Sequence, residues 1–467
     1  MDRVHRLSAL DAIFLPMDTA TQTLHVGTVL VLEGPCPEPH ELWRQVEANL
    51  AQGSLHRRRV LRMPLELGRP VWVDAGEVDL GAHLHDAVLE RPGDDEQLAA
   101  LVVRVMAAPL DAHRPLWEMW QVGGLSGGRW ALVLKAHHTM VDGRTGADLV
   151  RMLLTDEPVL RVPVAPAVAR RPDATAAVVL TDVVTWLAML PVRAVRMVVG
   201  AVVSPGRARR RLRELRLGLA QVLRPDLPPS VLAGPLGAAR RWGWADADLA
   251  EVRRTALTAH CTVNDVYLAA LAGAYRRYLT ERGDPVEGVV LRAIVPVSSG
   301  PSSRRSGPVA GRAPDGNLTS AMFVELPVDV PDPASRLRAV AARTAEQKAR
   351  GIPAATAAVV RTADHIPAPL FAWGARRYGR SGQGRVNVVA SNVPGPERVQ
   401  YLAGRRVLAM LPYVPTAQEV RSCTAMTSYA GRLTVAVTAD VAALPDSDRL
   451  VAAVADELQV LVGLSAG

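Results

Sequence analysis

The chain has 467 residues, 49% of them hydrophobic, and a formal net charge of +8, which is enough material for two cores of about 200 residues each. The basic balance suits anionic partners such as phosphates or acidic lipid headgroups, whereas 4% aromatic residues and no recognisable nucleic-acid motif argue against nucleic acid. Cys36, Cys261 and Cys423 are scattered and odd in number, which fits a reducing cytoplasm, and no apolar run follows Met1-Asp2-Arg3 to suggest a signal peptide.

Leu7-Ser8-Ala9-Leu10-Asp11-Ala12-Ile13-Phe14-Leu15 leads through a polar turn to a strand over His25 to Leu32, ended by Glu33-Gly34-Pro35. A helix is predicted from about Pro39 to Leu50, before Arg57-Arg58-Arg59, and another near Asp95 to Met106. Arg114-Pro115-Leu116-Trp117-Glu118 opens a strand to Val122. Gly124-Leu125-Ser126-Gly127-Gly128 satisfies the nucleophile-elbow pattern in form. An elbow needs a strand-to-helix turn, and this serine lies between two strands, so no acyl-serine is expected. Strands alternating with helices predict an α/β sandwich.

The second of those strands, Trp130 to Ala136, runs into His137-His138-Thr139-Met140-Val141-Asp142-Gly143, and a helical pattern follows to Leu154. The histidines therefore stand where a strand gives way to a loop. Side chains alternate along a strand, so one of the two faces a given cleft and the other packs behind it. A metal site is not expected, because paired histidine ligands on a helix are usually four residues apart and no cysteine cluster accompanies these.

Residues 174–203 are apolar but interrupted by Asp182, Arg193 and Arg196, with Pro191 in the middle, so they make no clean membrane span. Arg207, Arg209, Arg210, Arg211, Arg213 and Arg216 follow. Two readings stand: an interfacial segment on an anionic membrane or lipid droplet, or linker helices with a solvated basic face. A Pro-rich stretch over 225–235 closes the linker, dividing the chain into 1–172, 173–230 and 231–467.

In the last part, helices are predicted near 247–258 and from Thr262 to about Tyr278, where Thr262 and Asp265 have the spacing of a capping box and Asn264 lies between them. A strand over 289–297 precedes a Gly/Pro/Ser-rich loop over 298–316 carrying Arg304, Arg305 and Arg312, which reads as a disordered insert or a phosphate contact. A strand over 317–326 and a helix over 334–348 follow. Asn392-Val393-Pro394-Gly395-Pro396 is a rigid turn at a strand end, where backbone must approach a ligand or another domain. A strand over 433–438 and a helix over 447–462 end the chain.

The pattern His137-His138-x-x-x-Asp142-Gly143 resembles the signature of the CoA-dependent acyltransferase superfamily. Chloramphenicol acetyltransferases, nonribosomal peptide condensation domains and bacterial wax ester synthase/diacylglycerol acyltransferases share it. Leu7-Ser8-x-x-Asp11-x-x-Phe14-Leu15 before His25-Val26-Gly27, together with Asn392-Val393-Pro394-Gly395-Pro396, resembles the last of these families in particular. The likeness covers nearly the whole chain, and the 298–316 loop is its main departure.

The resemblance implies an α/β fold of two chloramphenicol-acetyltransferase-like sandwich domains with a tunnel between them. It implies transfer of a long-chain acyl group from acyl-CoA to diacylglycerol or a long-chain alcohol. One imidazole can serve as base and then acid, because it titrates near the working pH; the resemblance gives that role to His138, with His137 in support. Asp142 is implied to hold the loop through an arginine, a relay to the ring being the alternative, and Gly143 to turn the chain into the helix. Pro115, Leu116 and Trp117 are implied to shape the acyl channel, against the plainer reading of Trp117 as a core aromatic. Asn264 and Asp265 are implied to lie near the tunnel. Acyl-CoA is a co-substrate, and no metal or redox cofactor is required. The expected location is the cytoplasm, on the inner face of the membrane or on lipid droplets. The rivals are acyl transfer to a carrier-bound amine or a polyketide hydroxyl, and a lapsed, non-catalytic lipid-binding protein.

Overall fold

The computed structural model describes residues 5–19, 21–50, 55–63, 68–140, 150, 153–158, 181, 184–298, 319–381 and 385–464. Asp142, Gly143, most of the helix expected over 143–154, and the 298–316 loop beyond its first residue lie outside the described residues.

The first third contains β1 (His5–Arg6), α1 (Ala9–Phe14), β2 (His25–Leu32), α2 (Pro39–Leu50), β3 (Arg58–Leu61), β4 (Val71–Asp74), β5 (Leu84–Val88), α3 (Asp95–Ala107), β6 (Trp117–Leu125) and β7 (Arg129–His137). Two helices follow, α4 (Leu190–Val203) and α5 (Pro205–Val222). Next come β8 (Arg240–Asp248), α6 (Leu249–Thr258), α7 (Val263–Glu281), β9 (Leu291–Ser298), β10 (Thr319–Leu326), α8 (Pro333–Ala349), α9 (Ile352–Ala363) and α10 (Ala368–Ser381). The chain closes with β11 (Val388–Pro394), β12 (Tyr401–Leu402), β13 (Arg405–Tyr413), β14 (Ser422–Tyr429), β15 (Arg432–Asp440) and α11 (Ser447–Gly463).

Two six-stranded sheets organise these elements, ordered β12-β13-β2-β7-β6-β5 and β10-β9-β11-β14-β15-β8, beside a small β1-β4-β3 sheet. The first sheet is not made by the N-terminal third alone. β13 pairs antiparallel with β2, Val407 opposite Leu32 through Tyr413 opposite Gly27, so the C-terminal half lends a strand across the division expected near residue 231. Trp242 Nε1 on β8 donates to the Pro412 carbonyl on β13 at 3.1 Å, tying the two sheets, and Arg240 donates to the Thr21 carbonyl at 3.0 Å, tying the halves further.

Several local expectations are revised. β8 takes up Arg240 to Asp248, including the expected helix start at Ala247. The helix begins at Leu249 because the Asp248 carboxylate caps it, accepting the N–H groups of Ala250 at 2.7 Å and Glu251 at 3.0 Å. Pro191, in the middle of the apolar stretch, sits in the first turn of α4, where its missing N–H costs nothing. β6 continues to Leu125, and α9, α10 and β12 to β13 add to the expected elements.

Candidate active site

β7 is buried along Trp130 to His137 because both faces of its sheet are covered. Leu132, Leu134 and Ala136 pack into a core with Leu7, Ala12 and Leu15. Ala131 and Val133 pack on the other face with Val102, Val105 and Met106 of α3. His137 continues this second face and is only 2% exposed, whereas His138, one step past the strand, is half-buried.

Each backbone N–H from His137 to Met140 has a partner. His137 donates to the Leu116 carbonyl at 2.9 Å, His138 to Leu24 at 2.9 Å, Thr139 to the ring Nδ1 of His137 at 3.1 Å, and Met140 to the His137 carbonyl at 2.9 Å. Because Nδ1 accepts, the proton of the His137 ring lies on Nε2, which donates to Asp18 Oδ2 at 3.0 Å. Burial pushes the Asp18 carboxyl up, but the hydrogen bond from His137 and that from the Leu24 N–H outweigh it and hold the group below the usual carboxylate range. His25 faces His137 across the β2–β7 pairing and contacts its ring edge-on at 5.9 Å. Burial, then the charge of Lys135, lowers its pKa to about 3, so it is neutral, with Nδ1 donating to the Met106 carbonyl at 2.7 Å.

The N-terminal motif supports this loop. Ser8 caps α1, its Oγ accepting the Asp11 N–H at 3.1 Å, and Asp364 accepts the Ala9 N–H at 2.7 Å while pairing with Arg69. The helix so fixed presents the Asp11 carbonyl to Thr139 Oγ1 at 3.1 Å. It also sets the Phe14 ring against His138.

Of the other expected site residues, Leu116 serves through its carbonyl on His137, and the Pro115 carbonyl accepts the Trp117 N–H at 2.9 Å. Trp117 is 1% exposed, donates from Nε1 to the His56 carbonyl at 2.9 Å and stacks on His83, so its contacts are those of a core aromatic. A second polar cluster forms on the other sheet. Asp265 completes the capping box with Thr262 and accepts Thr344 Oγ1 at 2.6 Å, while Asn392 Nδ2 donates to Asn264 Oδ1 at 3.2 Å. β11 extends through Pro394, and the Gly395 N–H donates to the Ser428 carbonyl at 3.0 Å. The backbone approached by the turn is thus the end of β14. Asp18 and Leu24 were not singled out from sequence; Asp18 is a lone acid in a polar turn, and its only signal is its place between the two halves of the N-terminal motif.

Two mixed six-stranded sheets, the first completed by β13 from the C-terminal half, with an adjacent histidine pair at the end of the central strand β7, are the arrangement of a two-domain acyltransferase. The model for the wax ester synthase/diacylglycerol acyltransferase catalytic domain matches residues 7–267, and that for the WS/DGAT C-terminal domain matches residues 315–462. A probable diacylglycerol O-acyltransferase of Mycobacterium tuberculosis, tgs1, is 33% identical over 99% of this chain and 96% of its own. Among solved structures, the wax ester synthase/diacylglycerol acyltransferase from Marinobacter aquaeolei aligns with a TM-score of 0.66 at 23% identity over 99% of this chain and 100% of that one. The first condensation domain of the calcium-dependent antibiotic synthetase aligns with a TM-score of 0.62 at 17% identity, over 100% and 97%. At these identities the structural likeness concerns the fold alone, the two-domain α/β architecture common to the superfamily. The chain belongs to the wax ester synthase/diacylglycerol acyltransferase family and is an acyltransferase.

Proposed function

We propose that the enzyme transfers a long-chain acyl group from acyl-CoA to diacylglycerol, giving triacylglycerol, or to a long-chain alcohol, giving a wax ester, with His138 as the base. The observation that carries the assignment within the pair is that both ring nitrogens of His137 are engaged, by Thr139 and Asp18, in a site that is almost closed to solvent. His138 is the accessible imidazole and is held on one face by Phe14. In this reading the acceptor hydroxyl gives its proton to His138 as its oxygen attacks the thioester carbonyl carbon. The tetrahedral intermediate collapses with cleavage of the C–S bond, and the imidazolium protonates the departing CoA thiolate. One ester forms, one thioester breaks, and no electrons change hands. The two substrates reach His138 from opposite ends of a tunnel between the domains.

We further propose that the enzyme works at the inner face of a membrane or on a lipid droplet. Among the described residues no helix is long and apolar enough to cross a membrane. α4 nevertheless exposes Val195, Met197, Val198, Val202 and Val203, with Met197 72% and Val202 75% exposed. Arg207, Arg209, Arg210, Arg211, Arg213 and Arg216 stand exposed on the adjoining α5. An apolar helix next to an arginine-rich one fits a surface with acyl chains below and anionic headgroups above.

The test is a radiolabelled palmitoyl-CoA assay with dipalmitoylglycerol and hexadecanol as separate acceptors, for the native enzyme and His138→Ala. Triacylglycerol or wax ester from the native enzyme alone supports the reading. A native enzyme that neither forms product nor releases thiol would turn the search to carrier-bound or polyketide acceptors.

A further inference from the structure

We infer that Asp18 is a positioning residue for the His138 loop, its carboxylate acting as a two-armed clamp that sets the peptide on both sides of His138; this rests on His138 being the base.

One arm is Oδ1, which accepts the Leu24 N–H at 2.8 Å, and the Leu24 carbonyl accepts the His138 N–H at 2.9 Å. The other is Oδ2, which accepts the Nε2–H of His137 at 3.0 Å, and Nδ1 of that ring accepts the Thr139 N–H at 3.1 Å. The contacts close a ring: carboxylate, Leu24 peptide, His138 peptide, Thr139 N–H, His137 imidazole, and back to the carboxylate. The peptide N–H groups on either side of the His138 α-carbon thus both end, through one intermediary each, on the Asp18 side chain. The Phe14 ring then limits the rotation left to the imidazole.

The chemistry demands a carboxylate, because both arms accept and the two donors arrive at different oxygens. An amide has one accepting oxygen and would turn N–H groups toward one donor or the other. Bonds to an ionised acceptor are also roughly twice as strong as neutral ones. A simple staple for the 18–24 turn is the competing explanation. That turn has its own bonds, however: Thr19 and Gln22 exchange both backbone hydrogen bonds, and the Gln22 side chain accepts the Gln418 N–H at 3.0 Å. The Asp18 side chain is 34% exposed, so shortening it empties little of the core.

The experiment compares full-length Asp18→Ala, Asp18→Asn and Asp18→Glu with the native enzyme and His138→Ala. The measurements are kcat, the acyl-CoA KM and the melting temperature. A displacement of about 1 Å at a reacting group costs up to about 100-fold in rate. Asp18→Ala and Asp18→Asn are therefore expected to lose about 10- to 100-fold in kcat, with KM within about twofold and melting within about 2 °C of native. Asp18→Glu, which keeps both acceptors, is expected to recover most of kcat. If Asp18→Ala does not fold, the Asn and Glu variants decide. Native kcat in Asp18→Asn, a loss in melting temperature with kcat intact, or a Glu variant no better than Asn would each overturn the clamp. A silent His138→Ala beside fully active Asp18 variants removes this inference alone, whereas an active His138→Ala removes the assigned base itself.

Discussion

Phe14 lies against His138 with ring centroids 4.1 Å apart and planes inclined by 29°. The phenyl group is the last residue of α1, and the same helix hands a carbonyl to Thr139, so the N-terminal motif acts on the histidine loop at two points. A stacked aromatic pair contributes about 0.5 to 1.5 kcal/mol beyond burial, which corresponds to roughly 2- to 12-fold in rate if that energy orients the ring. Phe14→Leu, which keeps an apolar side chain and loses the stack, is expected to lower kcat within that range and to leave the acyl-CoA KM near native. Steady-state kinetics check it; an unchanged kcat would mean that the ring is oriented from elsewhere.

Gly395 shows where backbone proximity, rather than a special dihedral, demands glycine. A Cβ there would lie 2.4 Å from the Ser428 carbonyl oxygen, on the strand that pairs with β11. Gly395→Ala must push two paired strands apart and is expected to cost about 1 to 3 kcal/mol, the usual range for overpacking. Gly200→Ala in α4 meets nothing within 4 Å and should stabilise by about 0.5 to 1 kcal/mol. Thermal melts of the two variants should therefore move in opposite directions.

Acid should destabilise the fold well above the carboxylate range. Burial lowers the pKa of His56 to about 4, and burial followed by the charge of Lys135 lowers that of His25 to about 3. In the unfolded chain both titrate near 6.5. Above that pH neither state binds the proton. Below it the unfolded state binds protons that the folded state refuses, so stability is present above about 6.5 and falls as pH drops toward 4 and then 3. His56→Phe should flatten the dependence of unfolding free energy on pH between about 6 and 4.5 by up to about one proton. Equal slopes for native and variant, read from denaturant titrations, would show that the folded protein protonates His56.

The basic face of α5 predicts salt-sensitive vesicle binding. Replacing Arg207, Arg209, Arg211, Arg213 and Arg216 with Glu reverses the charge beside the apolar α4 while leaving the Arg210–Glu214 pair in place. At about 1 kcal/mol per basic residue near an anionic surface, co-sedimentation with phosphatidylserine-containing vesicles should fall by more than about 100-fold in partition coefficient. Equal binding by native and variant would remove the membrane surface from the proposal.

Features with a local period were legible in the chain. Short apolar runs bounded by Gly and Pro located β2 and the β6–β7 hairpin, the 3.6-residue repeat located α2 and α3, and the Thr262–Asp265 spacing marked the start of α7. The histidine pair could be placed at a strand end, with one ring buried and one accessible, because alternation along a strand is a property of the backbone itself. The hidden half of the site was non-local. Asp18 stands 119 residues from His137, and the Asn264–Asn392 bond spans 128. No periodicity in a lone turn residue announces which ring its carboxylate will meet.

Sheet membership divides in the same way. The strand Arg405–Tyr413 was not among those expected, and nothing in its local composition places it beside β2 rather than within the C-terminal sheet. A strand's side chains repeat every two residues whatever lies next to it. Its neighbour is chosen by which exposed edge and which apolar face remain to be covered once the rest of the chain has packed. The local backbone period therefore places His137 and His138 at the end of a strand. The packing of distant segments places Phe14, Asp18 and Leu24 around them and makes one imidazole the accessible member of the pair.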